Sequence, residues 1–187
     1  VINHLAEVAR RCGRRLMLRL VKGAYWDAEI KRAQELGLAA YPVFTRKATT
    51  DVSYLACAGR VLAASDAFYP QFATHNAHTI AAVLELAADT GRDPLTDLEF
   101  QRLHGMGEAL YEQLMAAEQR GIGCRVYAPV GAHEDLLAYL VRRLLENGTN
   151  SSFVNRLQDD RLPVAMIVAD PLARIQALSD IANSRIP

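Results

Sequence analysis

Two cations stand out in an apolar segment near the start of the chain, where Arg19 and Lys22 precede Gly23. Burying an unpaired charge costs several kcal/mol, so an arginine buried in this segment needs an anion or ordered acceptors. Arg19 could stabilise an electron-rich cofactor ring, while Lys22 could bind a phosphate, bind a reduced ring or, if desolvated, form a Schiff base. The alternative is a pair of structural salt bridges. The position of Arg19 and Lys22 beside a glycine turn favours a functional site.

A second constellation lies on a strongly amphipathic helix predicted over about His133–Glu146. Tyr139, Arg142, Arg143 and Glu146 follow i, i+3, i+4, i+7 spacing along one side. Two adjacent guanidinium groups could clamp a carboxylate, with Tyr139 closing over the substrate. A solvated face with an Arg142–Glu146 pair is the alternative, and spacing alone favours it. The opposite side carries the apolar residues Leu136, Leu137, Leu140, Val141, Leu144 and Leu145.

Three further positions offer polar or aromatic groups. His75 could donate to a ligand carbonyl or phosphate, or it could be a satisfied core histidine next to a helix cap at Thr74 or Asn76. Trp26 could stack on a flat group such as adenine, although a lone Trp is more often part of a core. No carboxylate stands at zinc-ligand spacing from His75 or His104, so the sequence predicts no metal site.

The elements that must position these residues alternate regularly between strand and helix. Four strand-then-helix units in succession imply parallel strands with right-handed crossovers, as in a barrel or a doubly wound sheet. Neither GxGxxG nor GxxxxGK[ST] occurs, so an α/β (β/α)8 TIM-type barrel, with about its C-terminal half present, is preferred. Strands are predicted over Leu16–Lys22, Tyr69–Ala73, Glu99–Leu103 and Cys124–Ala128. The other helices are predicted at about Asp27–Leu36, Thr50–Ala64 (capped by Thr49, Thr50 or Asp51), Ala77–Ala88 and Gly107–Arg120.

This interpretation treats the chain as part of one barrel domain of a longer protein. Residues 1–15 are expected to be the tail of a preceding helix, 16–169 the strand–helix units and a capping helix, and 170–187 a trailing helix. With 187 residues and 51% hydrophobic content, the chain can fill a core of that size.

Composition excludes several classes of protein. Lys plus Arg and Asp plus Glu number 21 each, so no basic field attracts nucleic acid. Three cysteines without CxxC spacing suggest a reducing compartment. No apolar stretch reaches the roughly 20 residues that a membrane-spanning helix needs.

Five segments together resemble the proline dehydrogenase family, and most closely the proline dehydrogenase module of bacterial bifunctional proline utilisation flavoenzymes. They occur in order along almost the whole chain, at Arg19–Asp27, Tyr69–Asn76, Glu99–Gly107, Arg125–Gly131 and Tyr139–Asn147. The resemblance implies a (β/α)8 barrel that carries FAD and oxidises L-proline to Δ1-pyrroline-5-carboxylate by hydride transfer from C5 to flavin N5. Quinone in a membrane then accepts the electrons.

The same resemblance implies roles for individual residues. Arg19 is similar to the arginine that favours the reduced, electron-rich flavin, and Arg142 and Arg143 to the pair that clamps the proline carboxylate. The implied walls of the substrate pocket are Tyr25, Leu103, Tyr127 and Tyr139. The implied FAD contacts, besides Arg19, are Val21, Lys22, Gly23, Ala24, Trp26, Thr45, Lys47, Thr74, His75 and Glu146.

The family also implies a cellular setting. The expected location is cytoplasmic, peripheral to the bacterial inner membrane, with a pyrroline-5-carboxylate dehydrogenase module elsewhere in the parent protein. From the residues alone, two other functions stay open. One is a Schiff-base barrel lyase using Lys22, and the other is a non-catalytic barrel fragment or interaction module.

Overall fold

A four-stranded sheet and the helices around it form the fold, in a computed structural model that describes residues 1–23, 25–117, 121–148 and 163–186. The strands are β1 Leu16–Val21, β2 Phe68–Ala73, β3 Glu99–Leu103 and β4 Cys124–Tyr127. The helices are α1 Ile2–Arg11, α2 Trp26–Glu35, α3 Lys47–Ala63, α4 Ala77–Asp89, α5 Glu108–Ala117, α6 His133–Gly148, α7 Val164–Ile167 and α8 Pro171–Gln176.

All strand pairs are parallel, in the order β1-β2-β3-β4. Sequential order with a helix after every strand is the arrangement of a (β/α)8 barrel, and four strands are half of its complement. The predicted fold class is therefore confirmed. Each predicted strand agrees with the structure to within one residue at either end, and β3 agrees at both ends.

One face of the sheet packs under α3, α4 and α5. Phe72 and Phe100 are fully buried there, against Tyr54 of α3 and Tyr111 of α5. The Phe100 ring lies 6.1 Å from Phe72 and 6.4 Å from Tyr111, centroid to centroid, at tilted and edge-on angles that aromatic pairs favour. This core fixes the strands that carry the candidate site.

The other face of the sheet carries the odd-numbered strand residues and is more open. Met17, Arg19 and Val21 of β1 are exposed along it, with Met17 at 62% and Val21 at 44%. Polar side chains of β2, β3 and β4 share this face. In a closed barrel it is the interior face.

Helix α3 differs from its prediction at the N-terminus. It begins at Lys47 rather than Thr50, and its N-cap position is Arg46, which makes no side-chain cap bond. The predicted caps were therefore wrong, because Thr49, Thr50 and Asp51 lie inside the first turns. The Asn76 cap of α4 was correct, since its side chain accepts a hydrogen bond from the Thr79 N–H at 3.2 Å.

Helix α6 leaves much of its described apolar side exposed. Leu137, Leu140 and Val141 are 56%, 48% and 45% exposed, while Arg142 and Arg143 are half-buried. The alternative of a fully solvated polar face does not hold at Arg142 and Arg143, and the Arg142–Glu146 pair lies outside the described side chains. Arg142 lies over the Tyr25 ring beside the end of β1, whereas Arg143 lies over Tyr139 of the same helix.

Candidate functional site

The candidate site lies at the carboxyl ends of the parallel strands. Lys22 follows β1, Thr74 and His75 follow β2, and Tyr127 ends β4. Because all four strands run in the same direction, these ends meet at one edge of the sheet. The sequence-predicted positions are therefore brought together.

Arg19 lies on the open face of β1, two residues before the strand ends at Val21. Its Nε donates to Gln101 Oε1 at 2.8 Å, and its guanidinium carbon lies 5.1 Å from the centre of the Tyr127 ring. The prediction that Arg19 is buried was wrong, because the residue is exposed. The fold supplies one acceptor and a ring, and part of the guanidinium remains accessible to a ligand.

Lys22 points to the opposite side of the sheet and is held by α3 and α4. Its Nζ lies 2.5 Å from Asp51 Oδ1, 3.2 Å from Thr79 Oγ1 and 5.3 Å from the centre of the Tyr54 ring. Burial lowers the pKa of Lys22, against the attraction of Asp51, and the pKa of Asp51 is lowered by its lysines despite its own burial. An ammonium held this closely by a carboxylate is a poor nucleophile, which argues against a Schiff-base role.

A second lysine shares the same carboxylate. Lys47 Nζ lies 2.9 Å from Asp51 Oδ2, and its side chain is 56% exposed compared with 24% for Lys22. We call Lys22, Lys47, Asp51 and Thr79 the Asp51 cluster. It places two ammonium groups beside the carboxyl end of β1, where a phosphate could accept from either.

His75 is locked in one tautomer by the next strand. The Leu103 N–H donates to His75 Nε2 at 3.0 Å, so the ring proton of the neutral form is on Nδ1. Burial, with further repulsion from Arg143 and Arg102, lowers the pKa of His75 to about 4. At neutral pH this residue is therefore an uncharged donor through Nδ1. Thr74 is buried, and its carbonyl accepts from the Tyr111 hydroxyl at 2.8 Å.

The two arginines of α6 lie over tyrosine rings. Arg142 is 4.7 Å from the centre of the Tyr25 ring, and its Nη2 lies 3.4 Å from the Tyr25 hydroxyl. Arg143 is 5.3 Å from the centre of the Tyr139 ring. The Nε of Arg142 is buried and has no hydrogen-bond partner among the described residues. An anion would satisfy this donor, and neighbouring guanidinium groups are suited to a carboxylate.

A separate group of predicted contacts surrounds the segment before α3. Trp26 Nε1 donates to the Phe44 carbonyl at 2.8 Å. The Trp26 residue is 40% exposed. Thr45 Oγ1 accepts from the Asn183 N–H at 2.8 Å, so the C-terminal segment lies against this loop. The exposed indole can still stack on a flat ligand.

The remaining predicted positions differ in how far the structure describes them. Leu103 is buried, and Val21 is exposed on the open face. Gly23 has open space at its Cβ position, where an added atom would meet nothing within 4 Å. Ala24 lies outside the described residues. Glu146 falls within α6, but its side chain lies outside the description.

Two polar residues at this face were missed by sequence reasoning. Gln101 binds Arg19, and Glu99 binds Gln101 with a 2.7 Å bond between Gln101 Nε2 and Glu99 Oε1. Both are at least 94% buried, with exposures of 5% and 6%. The available signal was a strand, Glu99–Leu103, in which three of the five residues are polar. A strand buried on both faces is normally apolar throughout.

The described part of the chain holds no group of three His, Cys, Asp or Glu side chains that could bind a metal ion. Within the same residues, no helix combines the length and apolar character needed to cross a membrane.

Comparison with known proteins identifies the relatives of this chain. The model of the proline dehydrogenase family matches residues 1–156. The bifunctional protein PutA of Klebsiella aerogenes is 59% identical over 182 residues, which are 96% of this chain and 14% of that protein. The PutA of Rhizobium meliloti is 54% identical over 184 residues, 95% of this chain and again 14% of the relative. The chain thus spans about one seventh of the length of these relatives.

Solved structures give the same result. A crystal structure of a mutant of Bradyrhizobium japonicum Proline Utilization A superimposes with a TM-score of 0.90 at 57% identity, covering 100% of this chain and 18% of that one. The family match spans most of the chain, and the structural match spans all of it. This chain belongs to the proline dehydrogenase family.

Proposed function

We propose that the protein containing this chain is an FAD-dependent proline dehydrogenase that oxidises L-proline to Δ1-pyrroline-5-carboxylate. The observation that carries the proposal is the Arg142 guanidinium, held over Tyr25 with a buried Nε that lacks a partner among the described residues. A small carboxylate is the anion that fits a guanidinium pair flanked by aromatic rings. Proline combines such a carboxylate with a compact apolar ring.

The residues at the sheet edge are suited to FAD. Arg19 offers positive charge to a ring that becomes electron-rich on reduction, and neutral His75 offers an Nδ1 donor. The two lysines of the Asp51 cluster can pair with phosphates, and the open space at Gly23 allows close approach to the backbone. The half-exposed Trp26 can contact adenine. The proposed FAD contacts at Val21, Ala24, Thr45, Thr74 and Glu146 extend this set.

Bound FAD would supply a two-electron acceptor for a hydride from proline C5, and the proton of the amine nitrogen would go to solvent. Arg142 and Arg143 bind the carboxylate and thereby fix the orientation of the ring. Tyr25, Tyr127, Tyr139 and Leu103 form walls that exclude water. Little acid–base help is needed when the amine is unprotonated, so positioning and charge complementarity carry the rate.

The wider setting is proposed on the likeness to bifunctional relatives. We infer a parent protein with a pyrroline-5-carboxylate dehydrogenase module that consumes the product, a quinone as final electron acceptor, and a cytoplasmic location peripheral to the inner membrane. The names of the two PutA relatives, each called a bifunctional protein, support the second module. Quinone and membrane contact rest on the family resemblance.

The test is the absorbance spectrum of the intact protein, followed anaerobically during addition of L-proline. We expect flavin bands that bleach with L-proline and respond far more weakly to pyrrolidine, which has the same ring without the carboxylate. A protein without flavin would overturn the proposal. Covalent trapping of a carbonyl substrate on Lys22 by borohydride would instead establish the lyase reading. Equal bleaching by pyrrolidine would overturn the carboxylate clamp.

A further inference from the structure

A continuous row of hydrogen bonds crosses the open face of the sheet from β4 to β1. Arg125 Nε and Nη2 donate to the two oxygens of Glu99 at 2.8 and 3.0 Å. Gln71 Nε2 and Gln101 Nε2 donate to Glu99 Oε1 at 2.9 and 2.7 Å. The row ends where Gln101 Oε1 accepts from Arg19 Nε at 2.8 Å. Each of the four strands contributes to it.

Strand register explains why these side chains meet. Arg19 pairs with Gln71, and Gln71 pairs with Glu99, while Gln101 pairs with Arg125. Parallel strands in this register place the side chains of paired residues on the same face. All five therefore project from one side of the sheet, in two adjacent rows.

Glu99 determines which way the Gln101 amide faces. An ionised carboxylate only accepts hydrogen bonds, so Gln101 must present its NH2 group to Glu99 and its carbonyl oxygen to Arg19. Glu99 is ionised, because its hydrogen bonds to Arg125, then to Gln101 and Gln71, lower its pKa more than burial raises it. With four donors around it, the carboxylate is saturated and cannot rotate without losing bonds.

We propose that Glu99 and Gln101 are positioning residues that hold the Arg19 guanidinium where it stabilises the reduced cofactor. This inference rests on the proposed function of the site, since it takes the ligand beside Arg19 to be a flavin. Gln101 acts directly on Arg19, and Glu99 acts through the orientation of Gln101. Neither residue touches the substrate in this scheme.

The first test is Gln101→Met in the intact protein, with the midpoint potential of the bound flavin as readout. Methionine keeps the length of the side chain and removes both hydrogen bonds without changing charge. We expect a more negative potential, by about the 30 mV that corresponds to a tenfold change in a two-electron equilibrium. An unchanged potential would overturn the proposal.

Glu99→Gln is a second variant, for which the sign of the shift in flavin potential is informative. Simple removal of a negative charge near the flavin would make its potential more positive. Under the positioning role, the neutral amide is a weaker acceptor for the Gln101 NH2 group, so Gln101 and the Arg19 guanidinium are no longer held in place and the potential becomes more negative. A positive shift would therefore show that Glu99 acts only by its charge and would overturn its positioning role. This variant also tests the proposal if Gln101→Met fails to fold.

The Arg19→Met background completes the experiment. If Gln101 acts through Arg19, then Gln101→Met shifts the potential in the wild-type background but not in the Arg19→Met background. Equal shifts in both backgrounds would overturn the proposal. A protein that holds no flavin reducible by L-proline would instead refute the proposed function itself, so the two failures are distinguishable.

Asp66→Asn is the matched control. Asp66 forms a similar two-bond pair with Arg10, at 2.5 and 2.9 Å, between α1 and the turn before β2. Loss of this pair removes the same kind of interaction away from the open face. The flavin potential should stay unchanged, and a shift as large as that of Glu99→Gln would show that any lost ion pair produces the effect.

Discussion

The Asp51 cluster and Arg142 of α6 hold their cations in opposite ways. Lys22 lies 2.5 Å from a carboxylate oxygen, and Lys47 lies 2.9 Å from the other oxygen of the same group. Arg142 lies over the Tyr25 ring instead, at 4.7 Å from its centre. A carboxylate satisfies the charge of a cation, whereas a ring attracts the charge and leaves in-plane N–H groups able to donate.

This difference separates a structural role from a binding role. The lysines of the Asp51 cluster already have an anion, so a ligand there must compete with Asp51 or share its lysines. Arg142 retains a buried donor without a partner among the described residues. Arg142 is therefore the better place for a substrate anion, and the Asp51 cluster is better suited to supporting the fold and a second ligand.

Loss of the Arg142 guanidinium should have the largest effect. We expect Arg142→Met in the intact protein to weaken proline binding about a thousandfold, or about 4 kcal/mol, because the carboxylate loses a buried charged partner. FAD affinity should change far less. Proline titrations of flavin bleaching measure the first quantity, and flavin retention on dialysis measures the second.

The control for this variant is Arg32→Met. Arg32 is an exposed arginine of α2, so its loss removes one positive charge at the protein surface. It should leave proline saturation unchanged. If Arg142→Met also left saturation unchanged, the assignment of the carboxylate to α6 would be wrong.

The next largest effect is expected at His75, which lies near α6. Burial is the main cause of its lowered pKa, and Arg143 of α6 is the second. The folded-state value of about 4 lies below the ordinary 6.5, so the unfolded chain binds more protons between these pH values. Stability from this residue is complete above pH 6.5 and is lost as the pH falls toward 4, by about 3 kcal/mol in total.

The measurement is thermal unfolding of the intact protein at a series of pH values between neutral and acid. His75→Gln keeps an acceptor for the Leu103 N–H and removes the titration. We expect the variant to lose less stability than the wild type over that range. Identical pH profiles for both proteins would contradict a neutral, buried His75.

Asp51→Asn removes the negative charge of the Asp51 cluster. The amide can still accept from Lys22 but no longer balances the charge of a side chain that is only 24% exposed. We expect a loss of about 2 kcal/mol, which lowers the melting temperature by roughly 4–8 °C. Glu35→Gln is the control, since it removes an exposed pair with Lys31 and should cost less than about 0.5 kcal/mol.

The strands could be predicted well because each is a short run bounded by turn residues. β3 was predicted residue for residue, and the parallel order followed from the alternation of strands with helices. The lysine at the end of β1 and the histidine at the end of β2 were placed correctly at one edge. Chain direction alone determines which strand ends meet, so register is not needed for that step.

Two features could not be predicted, because they depend on contacts between distant segments. The period of α6 identifies a polar and an apolar side, but it does not show that Arg142 meets Tyr25, which follows β1. The pairing of Glu99 with Arg125 and of Gln101 with Arg19 depends on strand register. Sequence spacing within one strand contains no such information.

The smallest effect is expected for Lys47→Met, which distinguishes the roles of the two lysines in the Asp51 cluster. Lys47→Met should change stability by less than about 0.5 kcal/mol, because its side chain is 56% exposed and Lys22 still pairs with Asp51. If Lys47 also binds a cofactor phosphate, FAD affinity should fall several-fold in the same variant. Melting curves and flavin retention measure the two effects in one sample. A melting temperature lowered as far as in Asp51→Asn, with FAD affinity unchanged, would make Lys47 a structural residue and would place the phosphates elsewhere along the sheet edge.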